Sequence, residues 1–234
     1  KEDQVYIAEQ SKLVGALKHY FVDGKKQLYK QIVSYIIKGN ILRGGVYPLS
    51  AGPERLIIAT NLVEIAKKEN AVAVVHGSTG AGNDQVRFDV AIKVLAPELN
   101  IIAPIRDLEL TREKEIEILE KHGINIPTIS KSYSINKGML GITIGGKETK
   151  GSWESPPDEV YSGITPLSDT PNKPDTFIIS FKNGLPIGIN GQIIDGISIL
   201  EYLSKIGGKH GIGKNIHLGN TILGIKGRGA FAAP

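Results

Sequence analysis

Apolar residues fall along this chain in two alternating rhythms. QLYKQIVSYIIKG (residues 27–39) and RLIIATNLVEIAKKEN (residues 55–70) space them at intervals of three and four, the stripe of an amphipathic helix, and the first closes on Gly39. AVAVVHG (residues 71–77) and NIIAPIRD (residues 100–107) are short apolar runs, the first rich in β-branched residues as a buried parallel strand is. KHYFVD (residues 18–23) predicts a further strand, after a polar amphipathic segment over residues 2–17. VRFDVAIKVLAPEL reads as helix up to Pro97, and TREKEIEILEKHG (residues 111–123) as a helix opened by Thr111 and closed by Gly123. Strands alternating with helices predict an α/β fold with a doubly wound, mostly parallel sheet.

The rhythm changes after about Pro127. Residues 153–175 carry five of the 12 prolines and read as irregular. TFIISFKNGLPIGINGQII sets Asn183-Gly184 and Asn190-Gly191 between β-rich runs, a strong hairpin signal. ISILEYLSKIGG then predicts a helix ending at Gly207-Gly208, and the glycine-rich tail one strand over residues 221–225. The expected organisation is an α/β domain over residues 1–125, followed over residues 126–234 by an α+β domain with antiparallel hairpins.

Composition narrows the function classes. With 234 residues, 41% hydrophobic and 22% charged, the chain has an ordinary globular make-up, and no apolar run approaches membrane-spanning length. The net charge of +4 is spread without a basic arm, which argues against a nucleic-acid partner and for anionic metabolites. The absence of cysteine excludes disulfides, thiolate metal sites and a cysteine nucleophile, and the five histidines lack metal-ligand spacing. Nothing resembles a signal peptide, so a cytoplasmic location is expected. The chain opens KEDQVYIAEQ without Met, its single Met being Met139, and so reads as a piece of a longer protein.

The candidate chemistry lies in HGSTGAGNDQVRF, residues 76–88, at the carboxyl end of a predicted strand, where open α/β sheets bind ligands. It is neither a P-loop, since Asn83 and Asp84 stand where Lys and a hydroxyl residue belong, nor the dinucleotide fingerprint, whose glycine order is reversed. Free backbone N–H groups at a strand-to-helix turn suit an anion, and the Asp84 carboxylate suits an ammonium. That combination fits an amino acid beside a phosphate; the alternative is a set of loop glycines with a helix cap.

HGSTGAGNDQVRFD closely resembles the HG-x-TGKGNDQVRFE signature of argininosuccinate synthases. The resemblance extends to YPL (residues 47–49), APIRDL (103–108), YSI (133–135), SPPDEVY, KHGIGK (209–214) and GIKGRG (224–229). It implies the central part of an ATP-pyrophosphatase-like enzyme that adenylates the ureido oxygen of citrulline and then joins that carbon to the aspartate amine, with ATP as co-substrate and Mg2+ on its phosphates. On this resemblance His76, Gly77, Ser78, Thr79, Gly80, Gly82 and Asn83 line ATP. Thr79, Asn83 and Asp84 hold aspartate, and Tyr47, Asn83, Arg87, Ser134 and Thr143 contact citrulline. No residue is assigned to a metal or to proton transfer, and the family assembles as a tetramer.

The sequence departs from that pattern at definite places. The lysine of the glycine run is Ala81, and the family's SGGLDTS pyrophosphate loop would lie upstream of Lys1. The usual L-G-T-S-x-A-R-P reads LSAGPERL, so Gly52 replaces a serine associated with citrulline; Gly219 and Phe231 replace a glutamate and a tyrosine, and Asn136 and Gly138 an aspartate and an asparagine. The sequence therefore admits a synthase or a non-catalytic homologue that binds an amino acid or nucleotide or serves as a subunit; a tRNA-thiolating relative is disfavoured by the lack of cysteine. Each site residue also has a plainer role open to it: Tyr47 as a half-buried aromatic, Arg87 as an ion-pair partner of Asp84 or Asp89, Ser134 and Thr143 as loop and strand hydroxyls, His76 as a satisfied core histidine.

Overall fold

The protein is described from a computed structural model covering residues 2–124, 132–151, 153–220, 222, 224 and 226–234. Its first half is an α/β unit. Helices α4 (Glu54–Lys68) and α5 (Asp84–Leu95) pack together against strand β1 (Ala73–Val75), which pairs in parallel with β2 (Asn100–Ile102). Small residues on the facing surfaces, Ala59 and Ala66 on α4 and Ala91 on α5, let the two helices approach, and Val63, Val74, Ile92 and Leu99 fill the space between them. In the two strands Val74 and Ile101 are register partners and both join this core, whereas Val75 and Ile102 stand exposed on the other face.

Three expectations for this half are corrected. Residues 18–23 form no strand: Phe21 and Val22 are exposed, and the segment is tied instead by side chains, with Lys18 and Tyr20 both bonded to Glu69. A strand needs a hydrogen-bonded neighbour, and among the described residues none lies beside this one. The strand expected over residues 100–107 stops at Ile102, because Pro104 cannot donate to a ladder and its fixed φ suits the first position of a helical turn, α6 (Pro104–Asp107). Helix α1 (Glu2–Leu13) ends earlier than residue 17 and leaves Val5, Tyr6 and Ile7 exposed together, so it buries no apolar stripe.

Between α1 and α4, α2 (Lys25–Leu28) runs through a π turn, Tyr29–Val33, into α3 (Ser34–Lys38). Helix α7 (Arg112–Lys121) is capped as its sequence predicts, with the Thr111 side chain accepting from the Lys114 N–H and Gly123 at φ 74°.

The second half has two antiparallel sheets. One runs in the order β3 (Tyr133–Gly138), β4 (Gly141–Gly146), β9 (Lys226–Ala232), β8 (Lys214–Asn220). The other joins β5 (Ile179–Lys182), β6 (Leu185–Ile189) and β7 (Gln192–Ile193) through the two Asn-Gly turns. All four turn residues have positive φ, 52° and 75° at Asn183-Gly184 and 50° and 80° at Asn190-Gly191, the type I′ geometry that matches strand twist. Helix α8 (Gly196–Lys209), N-capped by Asp195, runs through the two glycines expected to end it. Gly208 is required there by contact: a Cβ would lie 2.1 Å from the Gly163 carbonyl oxygen.

Of the strand expected over residues 221–225 only Ile222 and Gly224 are described, and they lie in turn and bend between β8 and β9; residues 221, 223 and 225 fall outside the described set. The domain boundary expected near residue 126 also lies outside the described residues. A third cluster crosses between the halves, where Leu28, Val33 and Ile57 meet Met139, Leu140 and Leu200. Among the described residues no helix is long and apolar enough to cross a membrane.

Ile92 is wholly buried where α4, α5 and β1 meet. Ile92→Ala is expected to lower the unfolding free energy by about 3 kcal/mol, read as a shifted urea midpoint at unchanged slope.

Candidate functional site

Loop 76–83 leaves β1 and turns into α5, so its backbone N–H groups gather at the amino end of that helix, the arrangement that attracts anions. Opposite it stand residues 43–52, the first turn of α4 and the sheet β3–β4–β9–β8. Together these enclose a cavity of about 660 Å³. His76, Gly77, Ser78, Thr79, Gly82, Asn83, Asp84 and Arg87 line it from one side, and Tyr47, Ser134 and Thr143 from the other. Of the residues singled out in the sequence only Gly80 is not in the lining; its carbonyl accepts a hydrogen bond from Gln85 below the loop.

The charges are unequal. Arg43, Arg55, Arg87 and Arg228 line the cavity, and Asp84 is the one carboxylate among its described lining residues. That carboxylate is doubly engaged: Arg55 Nε donates to Oδ2 at 2.9 Å and Arg87 Nη1 to Oδ1 at 2.7 Å. A second guanidinium nitrogen of Arg55 donates to Asn136 Oδ1 at 2.7 Å, so one side chain joins the start of α5 to β3. Asn83 reaches the opposite way and accepts the Ile222 N–H at 2.6 Å, closing the β8–β9 link onto the loop. Arg87 thus does pair with Asp84, the plainer of its two roles, while also facing the cavity.

His76 is satisfied, as a core histidine would be. Its Nε2 is 2.9 Å from Asp89 Oδ1 and its Nδ1 accepts the Ser78 N–H at 3.3 Å. Burial pushes the Asp89 carboxyl up, but its hydrogen bonds from His76 and Arg106 outweigh that and hold it below the ordinary value. Tyr47 is more buried than the half-buried aromatic the sequence allowed. It stacks in parallel on His217 at 4.3 Å and meets Phe231 edge-on. Burial, aided by the charge of Arg43, pushes the His217 imidazole below its usual value, and its Nδ1 is buried without a hydrogen-bond partner in the described structure.

Sequence reasoning missed Arg43, Arg55, His217 and Arg228. Arg55 lies inside the quoted block LSAGPERL, and its place as the first residue of the helix predicted over residues 55–70 was the available signal. Nothing local marked His217, which faces the cavity only because β8 pairs with β9.

The substituted glycines each meet a large side chain. A Cβ on Gly138 would fall 2.1 Å from the Ser50 carbonyl and 2.4 Å from Glu54 Oε1, and one on Gly52 would fall 3.0 Å from Arg87 Nη2. Glu54 Oε1 accepts the Met139 N–H at 2.7 Å. Among the described residues no group of three His, Cys, Asp or Glu is placed to hold a metal ion.

Comparison with known proteins gives this geometry a family context. The arginosuccinate synthase N-terminal HUP domain matches residues 1–125 and the arginosuccinate synthase C-terminal domain residues 133–234. Argininosuccinate synthase from Pyrococcus furiosus is 40% identical over 234 residues, covering 100% of this chain and 57% of that protein. The enzyme of the same name from Methanocaldococcus jannaschii is 41% identical over 235 residues, covering 100% and 59%, and that from Oenococcus oeni 40% over 229 residues, covering 97% and 56%. The chain therefore spans less than three-fifths of the length of these relatives.

Burial raises the Glu54 carboxyl above its ordinary value, against the Met139 hydrogen bond and the charge of Arg55. A carboxyl raised on folding contributes stability below its unfolded pKa, and that contribution is lost as pH rises through the folded value. Relative to Glu54→Gln, the unsubstituted protein should therefore lose stability as pH rises above the ordinary carboxylate value of about 4. Urea midpoints of the two proteins that moved in parallel with pH would show the carboxyl to be fully solvated.

Proposed function

This chain belongs to the argininosuccinate synthase family, and on that premise we propose that its cavity serves the ATP-dependent ligation of citrulline and aspartate. The observation that supports this reading is convergence. Tyr47, residues 76–87, Ser134 and Thr143 are far apart in sequence yet line one cavity, with loop N–H groups, a carboxylate and arginines facing one another.

In this reading N–H groups of loop 76–83 other than those of His76 and Ser78, which are bonded to Ile102 and His76, hold phosphate oxygens of ATP, which carries magnesium with it as part of the substrate. Citrulline, its carboxylate on Arg87 and its body against Tyr47, Ser134 and Thr143, presents its ureido oxygen to the α-phosphorus; that P–O bond forms as the bond to pyrophosphate breaks. Aspartate, held by Thr79, Asn83 and Asp84, then brings its amine to the activated carbon. Its ammonium first gives up a proton to solvent; the new C–N bond then forms, the nitrogen loses a second proton to solvent, and the C–O bond to AMP breaks. No protein group is bonded to an intermediate, so positioning and the arginine field supply the rate. The Asp84 ion pairs must open first: Asp84 exchanges an arginine for the ammonium, and Arg87 exchanges Asp84 for a carboxylate.

Residues 1–125 would be the nucleotide domain and residues 126–234 the synthetase domain, in a cytoplasmic homo-oligomer. A second reading, a non-catalytic homologue that binds an amino acid or nucleotide or acts as a subunit, is favoured by one feature: the β8–β9 wall offers no carboxylate, and His217 packs against Gly219, 3.0 Å from where its Cβ would be.

Asp84→Ala is expected to weaken L-aspartate binding by about tenfold or more, measured by calorimetry with ATP and citrulline present. Unaltered affinity would sink the assignment. Gly219→Glu with Phe231→Tyr is expected to raise citrulline affinity about tenfold, since residue 219 lines the cavity and residue 231 is the register partner of Thr143, which also lines it; no gain would favour the second reading.

A further inference from the structure

We propose that Arg106, which does not line the cavity, is the positioning residue of the glycine loop and fixes residues 77–83 through two separate arms. In the first, Arg106 Nη1 donates to Asp89 Oδ2 at 2.7 Å, and Asp89 Oδ1 receives the His76 Nε2–H at 2.9 Å. A carboxylate can only accept, so Nε2 carries the imidazole hydrogen and Nδ1 is left as an acceptor. The Ser78 N–H, 3.3 Å away, donates to it and sets the first turn of the loop. In the second arm Arg106 Nη1 also donates to Gln85 Oε1 at 3.2 Å, and the Gln85 amide donates to the Gly80 carbonyl.

The two arms meet the loop at Ser78 and Gly80, on either side of Thr79. His76 and Gln85 are both buried, so neither arm is readily replaced by water. The guanidinium is itself fixed: Arg106 Nε donates to Asp107 Oδ1 at 3.0 Å, and Asp107 Oδ2 is pinned by the Ala103 N–H at 3.1 Å. A loop of glycines has high conformational entropy, and holding it before the ligand arrives removes an ordering cost from binding. This inference rests on the reading of the loop as an anion contact, but its geometry can be tested without a ligand.

The test compares the full chain with Arg106→Met and Asp89→Asn. Ring ¹⁵N spectra are expected to show His76 protonated on Nε2 in the unsubstituted protein, with Nδ1 gaining hydrogen in Asp89→Asn. Amide exchange in residues 77–83 is expected to accelerate about tenfold in Arg106→Met while α5 is unchanged. Calorimetry with MgATP is expected to show affinity lower by about tenfold, partly restored in Arg106→Lys, which keeps the charge but not the forked contact. If Arg106→Met fails to fold, the Arg106→Lys loop exchange decides the same point. Exchange that rises uniformly through α5 and β1, or loop exchange that does not change, overturns the proposal. An unsubstituted protein that takes up no ATP defeats the proposed function alone, because tautomer and exchange still report on Arg106.

Discussion

The guanidinium of Arg55 is the contact on which the arrangement turns. It reaches from the first turn of α4 to Asp84 at the start of α5 and to Asn136 on β3, and so holds one side of the cavity at a fixed distance from the other. Arginine suits this task because its fork can address two acceptors at once without losing charge. The neighbouring Glu54 adds a second tie from the same turn, to the Met139 N–H beyond β3. The remainder of α4 packs on α5 and β1 through Ala59, Val63 and Ala66. One helix thus anchors the α/β core with its body and sets the position of the antiparallel sheet with its amino end.

The parts legible in the sequence are those whose cause is local. The helical stripes of α4 and α5, the Thr111 cap and the two Asn-Gly turns each carry their reason within a few residues, and each formed as read. Residues 18–23 have strand-like composition but no paired neighbour, and the pairing a strand requires is not written in its own residues. The strands KNIHLGN and KGRGAFA escape the hydrophobic pattern because they are too rich in glycine and polar residues to show a clear alternation. The candidate site divides in the same way. The loop at residues 76–83 announced itself by glycine spacing, while Arg43, His217 and Arg228 enter the cavity only through the β8–β9 pairing and the bridge between Arg43 and Tyr47.

The cavity's charge explains why its ion pairs matter. Four arginines face a single carboxylate, and two of them lie on it. Asp84 and Arg87 satisfy each other, as an ammonium on one ligand and a carboxylate on another would satisfy them separately. Replacing that pair would exchange one set of charge-assisted hydrogen bonds for another, so the net gain would be far smaller than the contacts taken singly, and meeting only one of the two charges would leave its partner unmatched. That difference favours selectivity over raw affinity.

The departures from the family pattern follow one steric logic. Where the pattern has alanine this chain has Glu54, and where it has asparagine this chain has Gly138, whose missing side chain is the space that Glu54 and the Ser50 carbonyl occupy. Gly52, in place of serine, leaves room for the Arg87 guanidinium. Gly219, in place of glutamate, and Gly229 border the His217 ring, each placing a would-be Cβ 3.0 Å from it. At each of these positions a Cβ would meet a neighbouring group at 3.0 Å or less. The first two exchanges preserve packing around Arg55 and Arg87. The third changes the chemistry of the wall, putting a neutral aromatic corner of Tyr47, His217 and Phe231 where a charged group would have stood. The departures reach every wall of the cavity, with Ala81 in the loop, Gly52 ahead of α4, Asn136 and Gly138 on β3 and Gly219 and Phe231 on β8–β9, while the loop keeps its glycines and Asp84.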